Sequence, residues 1–173
     1  SDLACEYRRA FLNYQPKIIV LTNIEADHLD YYKDLADYTS AFQEFIAKLP
    51  KDGLLIANSD DPNIQSILKN LTNPKVITYG KNDLADYQIR NNSIFHQGKK
   101  IAELNLKIPG QHNIMNATAA IALANEMSLD LAKTKSALEN YTGAARRFEL
   151  KGQIGKTTII DDYGHHPTEI KAT

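Results

Sequence analysis

The sequence predicts an α/β fold: a parallel sheet flanked by helices, a small antiparallel β rim, and then the start of a second α/β domain. Three observations predict it. Apolar, β-branched runs recur at Lys17–Thr22, Leu54–Ala57 and Val76–Gly80 with helical segments between them, an order that implies a parallel sheet with right-handed crossovers. Between Asp86 and Lys107 the pattern changes to alternation broken by Asn91-Asn92 and Gln97-Gly98, which reads as two or three antiparallel strands. The last stretch, Phe148 to Thr173, holds two short strands and a helix start, too little to bury a core of its own.

Each element has its local reason. Lys17-Ile18-Ile19-Val20-Leu21-Thr22 is continuously apolar, the signature of a strand buried on both faces. Leu35, Tyr38, Phe42, Phe45, Ile46 and Leu49 recur at three- and four-residue spacing and mark an amphipathic helix, closed by Pro50 and Gly53. Asp61-Pro62 opens a helix through about Leu71, with Pro in its first turn. Pro109-Gly110 ends the antiparallel rim. An Ala-rich helix from about Asn113 to Met127 suits close packing, and Leu131 to Tyr141 forms another helix with Asp130 as N-cap. Gly143-Ala144-Ala145 is a candidate domain boundary.

Composition excludes several function classes. A hydrophobic share of 43%, a charged share of 24% and a net charge of −1 describe an ordinary globular protein rather than a nucleic-acid binder. Cys5 is the only cysteine, which leaves no internal disulfide and fits a reducing compartment. No apolar run approaches the roughly 18 residues of a membrane span. A cytoplasmic protein is the expectation.

Four stretches carry chemistry. Asp161-Asp162-Tyr163-Gly164-His165-His166-Pro167-Thr168-Glu169 follows the strand-like Thr157–Ile160, and a strand ending in polar residues presents them where α/β proteins bind ligands; the alternative is a solvated loop. Thr22-Asn23-Ile24-Glu25-Ala26-Asp27-His28 leaves the first strand; its carboxylates and imidazole suit a divalent cation, Mg²⁺ if phosphates complete the shell, or else form a surface turn. Asn113 and Asn116 stand three apart at a helix start and share a face. Their carboxamides match the donor and acceptor edge of adenine, although Asn113 also suits simple capping. Arg146-Arg147 sits in a flexible segment, as a phosphate clamp or as a solvated pair. A fifth stretch, Gly152-Gln153-Ile154-Gly155-Lys156-Thr157, imitates a phosphate-binding loop, but it has Leu150 where a Gly is needed and a strand where a helix is needed. Gly155-Lys156 reads as a hairpin turn.

These motifs, with Pro109-Gly110-Gln111-His112-Asn113 and Gly143 through Phe148, occur in the order found in Mur ligases, and the chain resembles that family over nearly its whole length. The Tyr163–Glu169 motif is similar to the form in members that add L-alanine to UDP-N-acetylmuramate. The resemblance implies an ATP-dependent amide ligase of peptidoglycan synthesis in which a substrate carboxylate is phosphorylated and an amino group attacks the acyl phosphate. It implies that residues 1–147 are part of a central ATP-binding domain and residues 148–173 the beginning of a C-terminal domain. It assigns His28 to Mg²⁺, His112 and Asn116 to the adenine, with Asn113 beside them, Arg147 to the phosphates, Asp162 to the ribose and His165 to the amino acid. The sequence departs from the family at the phosphate loop and at Leu3, and around Phe42-Gln43 it resembles the L-alanine-adding members. The family's phosphate loop is not among these residues, so the chain alone is expected to be inactive. Leu3 stands where a Glu metal ligand usually precedes the Ala of Ala4-Cys5-Glu6, and the region of Phe42-Gln43 has no Lys for a second, carbamylated metal ligand, as in the L-alanine-adding members. A murein peptide ligase, another amide ligase of the superfamily, or a non-catalytic nucleotide-binding module are the alternatives.

Overall fold

Strands form where the apolar runs lie: β1 at Ile18–Leu21, β2 at Leu54–Asn58 and β3 at Lys75–Gly80, paired in parallel and in sequence order. The computed structural model describes residues 7–165 and 167–172; Leu3, Ala4, Cys5, Glu6 and His166, all singled out in the sequence, lie outside the described residues. The rim follows as β4 (Tyr87–Arg90), β5 (Ser93–His96) and β6 (Lys99–Glu103). The β4/β5 and β5/β6 pairs are antiparallel, as the turn signals require. β4 itself joins β3 in parallel, which makes one sheet in the order β1-β2-β3-β4-β5-β6.

The period-two alternation of β2 sorts the layers. Leu55 and Ala57 face a core shared with α1 (Leu35–Ile46) and α2 (Pro62–Leu68), together with Ile19 and Leu21. Ile56 faces the opposite side with Ile77, Tyr79 and Tyr87, under the Ala-rich helix α3 (Gln111–Glu126). Carboxylates cap both helices: Asp34 accepts from Asp37 N, and Asp61 accepts from Ile64 N. Ahead of β1, a 3₁₀ segment at Tyr7–Asn13 sets Phe11 against Phe42 and Phe45. Its Arg9 is paired with Asp37 at 2.6 Å.

One expectation fails. β1 is not buried on both faces: Ile19 and Leu21 are buried, but Val20 is 37% exposed. The physical reason is the placement of α3, whose principal contacts in the sheet are with β2, β3 and β4 rather than with β1. A polar network fixes the far end of that helix. The Tyr87 hydroxyl donates to Glu126 at 2.9 Å and accepts from Asn125 at 2.7 Å, while Lys75 Nζ lies 2.7 Å from Glu126. Burial pushes the Tyr87 hydroxyl up to about 12, so it stays a donor at neutral pH.

Helix α4 (Leu131–Asn140) packs on α3, and Asp130 caps it through Ala132 N and Lys133 N. The chain then turns into the hairpin β7 (Glu149–Ile154) and β8 (Thr157–Asp161) and a short α5 (Pro167–Ala172). Gly155-Lys156 connects the two antiparallel strands, so the imitation of a phosphate loop is a hairpin turn. Neither strand of this hairpin buries a residue, in line with the expectation that the stretch is too short for a core of its own. No helix among the described residues is long and apolar enough to cross a membrane.

Candidate functional site

The carboxyl ends of β1 and β2, the start of α3 and the linker after α4 surround one cleft of about 1090 Å³. This is the edge at which parallel sheets bind ligands. The loop after β1 reaches it in a fixed conformation. Ile24 is 1% exposed, its N–H is accepted by Asp61 at 3.2 Å, and its carbonyl accepts from Asn63 at 2.6 Å. Asp61 therefore does two jobs, because its other oxygen caps α2 at Ile64 N. Asn58 ties the neighbouring strand ends together through a bond from Nδ2 to the Thr22 carbonyl at 2.8 Å. With that support, Glu25 and Asp27 line the cleft.

On the opposite wall, α3 begins at Gly110, whose φ of 103° and lack of a Cβ are both used. A Cβ there would lie 2.5 Å from His112 Cε1, so the glycine lets the imidazole fold back over the helix start. His112, Asn113 and Asn116 all line the cleft. Asn113 is partly committed, since its Nδ2 donates to the Pro109 carbonyl. The helix is capped by Gly110 rather than by Asn113. The first helical residue is Gln111, two before the expected start.

The linker supplies the third wall. Gly143, at φ 100°, would set a Cβ 3.4 Å from Ile108 Cγ2, so the chain passes close to the rim of the sheet. The structure divides the two arginines. Arg146 is held outside the cleft lining: its N–H donates to Glu149 at 2.8 Å, its Nε lies 3.8 Å from Asp161, and its Cζ sits 4.9 Å from the Tyr163 ring centroid. Arg147 lines the cleft, with its Cζ 6.0 Å from the same ring. Asp162 also lines the cleft and joins linker to loop. One oxygen accepts from Gly164 N at 2.6 Å and the other from Phe148 N at 2.7 Å. Those two amides, Gly164 first, hold its carboxyl below the usual carboxylate range. At neutral pH it is an acceptor-only group, suited to hydroxyl donors.

The structure thus brings His112, Asn113, Asn116, Arg147 and Asp162 around one space. It does not place His28 or His165 among the residues lining that space. His28 adopts φ 51° with its N–H on Asp27 at 2.7 Å, one residue from the lining Asp27. His165 sits on the loop beyond Asp162, with Nδ1 3.2 Å from the Tyr163 carbonyl oxygen and its ring edge-on to Tyr163. Among the described residues, no three of His, Cys, Asp and Glu are grouped to hold a metal ion. The donors at the β1 loop are therefore too few for an all-protein cage; they fit an ion that brings water and phosphate oxygens with it, as Mg²⁺ does. Sequence reasoning missed Asn58 and Thr168 as lining residues. Asn58 was findable, as a polar residue at the carboxyl end of a buried strand; Thr168 lay inside a flagged motif without a role.

The Mur ligase middle domain family matches residues 4–124. The chain is 46% identical to the UDP-N-acetylmuramate–L-alanine ligase of Clostridium botulinum (strain Loch Maree / Type A3), an alignment that covers 98% of this chain and 39% of that protein. It therefore spans about two fifths of the length of the curated relatives it matches. Among solved structures, the UDP-N-acetylmuramate-alanine ligase of Thermotoga maritima superposes with a TM-score of 0.77 at 31% identity, over 95% of this chain and 38% of that one. The MurF of Acinetobacter baumannii superposes with a TM-score of 0.79 at 23% identity, over 91% of this chain and 36% of that one. The second likeness is one of fold alone.

Proposed function

The chain belongs to the Mur ligase family, and from that premise we propose that it is part of an ATP-dependent ligase joining L-alanine to UDP-N-acetylmuramate in peptidoglycan synthesis. Residues 1–147 are the later part of the ATP-binding domain, and residues 148–173 open the C-terminal domain. The observation that carries the reading is the convergence of motifs far apart in sequence on a single cleft. The identity to an L-alanine-adding relative supports the choice of amino acid.

In this reading His112 and Asn116 lie against the adenine, with Asn113 completing that wall. The ionised Asp162 accepts from ribose hydroxyls. Arg147 brings a guanidinium to the phosphates, where charge shifts as the γ-phosphoryl group moves to the muramate carboxylate. The amino group of L-alanine then attacks the acyl phosphate, the new amide forms and phosphate leaves. Mg²⁺, when bound, neutralises phosphate charge; His28 would hold it from the strained turn after β1, with Glu25 and Asp27 beside it. His165, on the loop past Asp162, faces the amino-acid end rather than the nucleotide. The nucleotide substrates put the proposed reaction in the cytoplasm.

The test is steady-state ADP release by a complete ligase carrying this segment. Release is expected to require both UDP-N-acetylmuramate and L-alanine. His165→Ala is expected to raise the KM for L-alanine about tenfold, with the KM for ATP changed less than about twofold. Release without L-alanine dependence contradicts the reading, and a selective loss of ATP affinity in His165→Ala would move that loop to the nucleotide.

A further inference from the structure

Thr168 and Glu25 are 143 residues apart in sequence, yet the Thr168 hydroxyl donates to Glu25 Oε2 at 2.6 Å. We infer that this bond is a latch across the cleft, and that Thr168 and Glu25 are positioning residues that set how the C-terminal unit sits over the nucleotide. The functional half of this inference rests on the ligase reading above.

The two ends of the bond are unlike. Glu25 follows Ile24, which is buried and held on both sides of its peptide by Asp61 and Asn63. Its backbone is an anchor fixed to β1 and α2. Thr168 is the second residue of α5, in a unit whose hairpin buries none of its own residues. The bonds from Phe148 N to Asp162 and from Tyr163 N to the Arg146 carbonyl act within the hinge itself; they fix its bend but not the angle of what lies beyond it. A contact from α5 to the β1 loop does fix that angle. Both side chains line the cleft, so the same bond sets the spacing between the wall that carries Glu25 and the wall that carries Arg147 and Asp162.

The chemistry suits a latch rather than a weld. A hydroxyl donating to a carboxylate is a short, charge-assisted bond, but an exposed one contributes only modestly because water competes for both partners. It biases the closed arrangement without preventing opening. Closing before the nucleotide arrives lowers the ordering cost that binding must meet. Threonine is well suited, since its β-branch restricts χ1 and holds the hydroxyl in few directions.

The first arm of the test needs no ligand. Spin labels at the exposed Lys69 and Lys156, in a Cys5→Ser background, report the distance between α2 and the β7–β8 turn by electron resonance. A narrow distribution is expected for the parent, a broadened one for Thr168→Val, and recovery in Thr168→Ser, which keeps the hydroxyl. The second arm uses a complete ligase. Thr168→Val and Glu25→Gln are each expected to raise the KM for ATP about threefold to tenfold, with the double variant no worse than the more severe single one, and Thr168→Ser is expected to stay within twofold of the parent. Unchanged distances in Thr168→Val, or fully multiplicative effects on KM, overturn the latch. Label distances that respond as expected in a protein showing no L-alanine-dependent turnover leave the latch in place and sink the ligase reading instead.

Discussion

Replacing Arg147 with alanine in a complete ligase is expected to lower kcat by about 100- to 1000-fold, the scale seen when one preorganised charge or donor is removed from a phosphoryl- or acyl-transfer site. The expectation rests on the division of the arginine pair. Arg146 is engaged by Glu149, Asp161 and the ring of Tyr163 at the base of the hairpin. Arg147 lines the cleft beside Asp162. Arg147→Lys keeps the charge and loses the planar fork, and an intermediate rate is expected. Arg146→Ala should act on the hinge and leave kcat within about tenfold. Equal losses for both alanine variants would show that the linker matters for its shape and that Arg147 has no separate role at the phosphates.

Asp61→Ala is expected to destabilise the chain by about 2–3 kcal/mol in urea unfolding. The figure combines roughly 1 kcal/mol for the lost helix cap with roughly 1–2 kcal/mol for leaving the buried Ile24 N–H without its acceptor. Both bonds are made by one carboxylate, at 2.8 Å to Ile64 N and 3.2 Å to Ile24 N. The consequence extends past stability, because the Ile24 peptide is the rigid base from which Glu25, Asp27 and His28 project. Asp61→Asn keeps an oxygen for the cap and is expected to recover at least half of the loss. A change below about 0.5 kcal/mol in Asp61→Ala would mean that the β1 loop holds its shape by other means.

The elements with a strong local signal were legible in the sequence. β2 and β3 are apolar runs, α1 has its spacing of three and four, and α2 and α4 have their Asp caps. The rim hairpins were legible because Asn91-Asn92 and Gln97-Gly98 are turn dipeptides. What depended on distant chain was not. Whether Val20 is covered is decided by where α3 lies, not by the run that contains it. That β4 pairs in parallel with β3 is a matter of sheet assembly, and alternation within β4 says nothing about its neighbour. At the site, the motifs were findable because each clusters polar residues at a strand or helix end. The division between Arg146 and Arg147 was not, because it follows from backbone at φ 59° for Arg146 and 48° for Phe148, conformations that local propensity disfavours. The second bond of Asp61 and the pairing of Thr168 with Glu25 belong to the same class: each joins residues that only the folded chain brings together.

The central claim is that one nucleotide occupies the cleft between the sheet edge and the C-terminal unit. Amide hydrogen exchange of a complete ligase, with and without ATP and Mg²⁺, tests it most directly. The account predicts that a saturating nucleotide slows exchange together in residues 109–116, 143–148 and 161–164, with the same concentration dependence in all three. Protection confined to one of these segments, or appearing in them at different nucleotide concentrations, would contradict it.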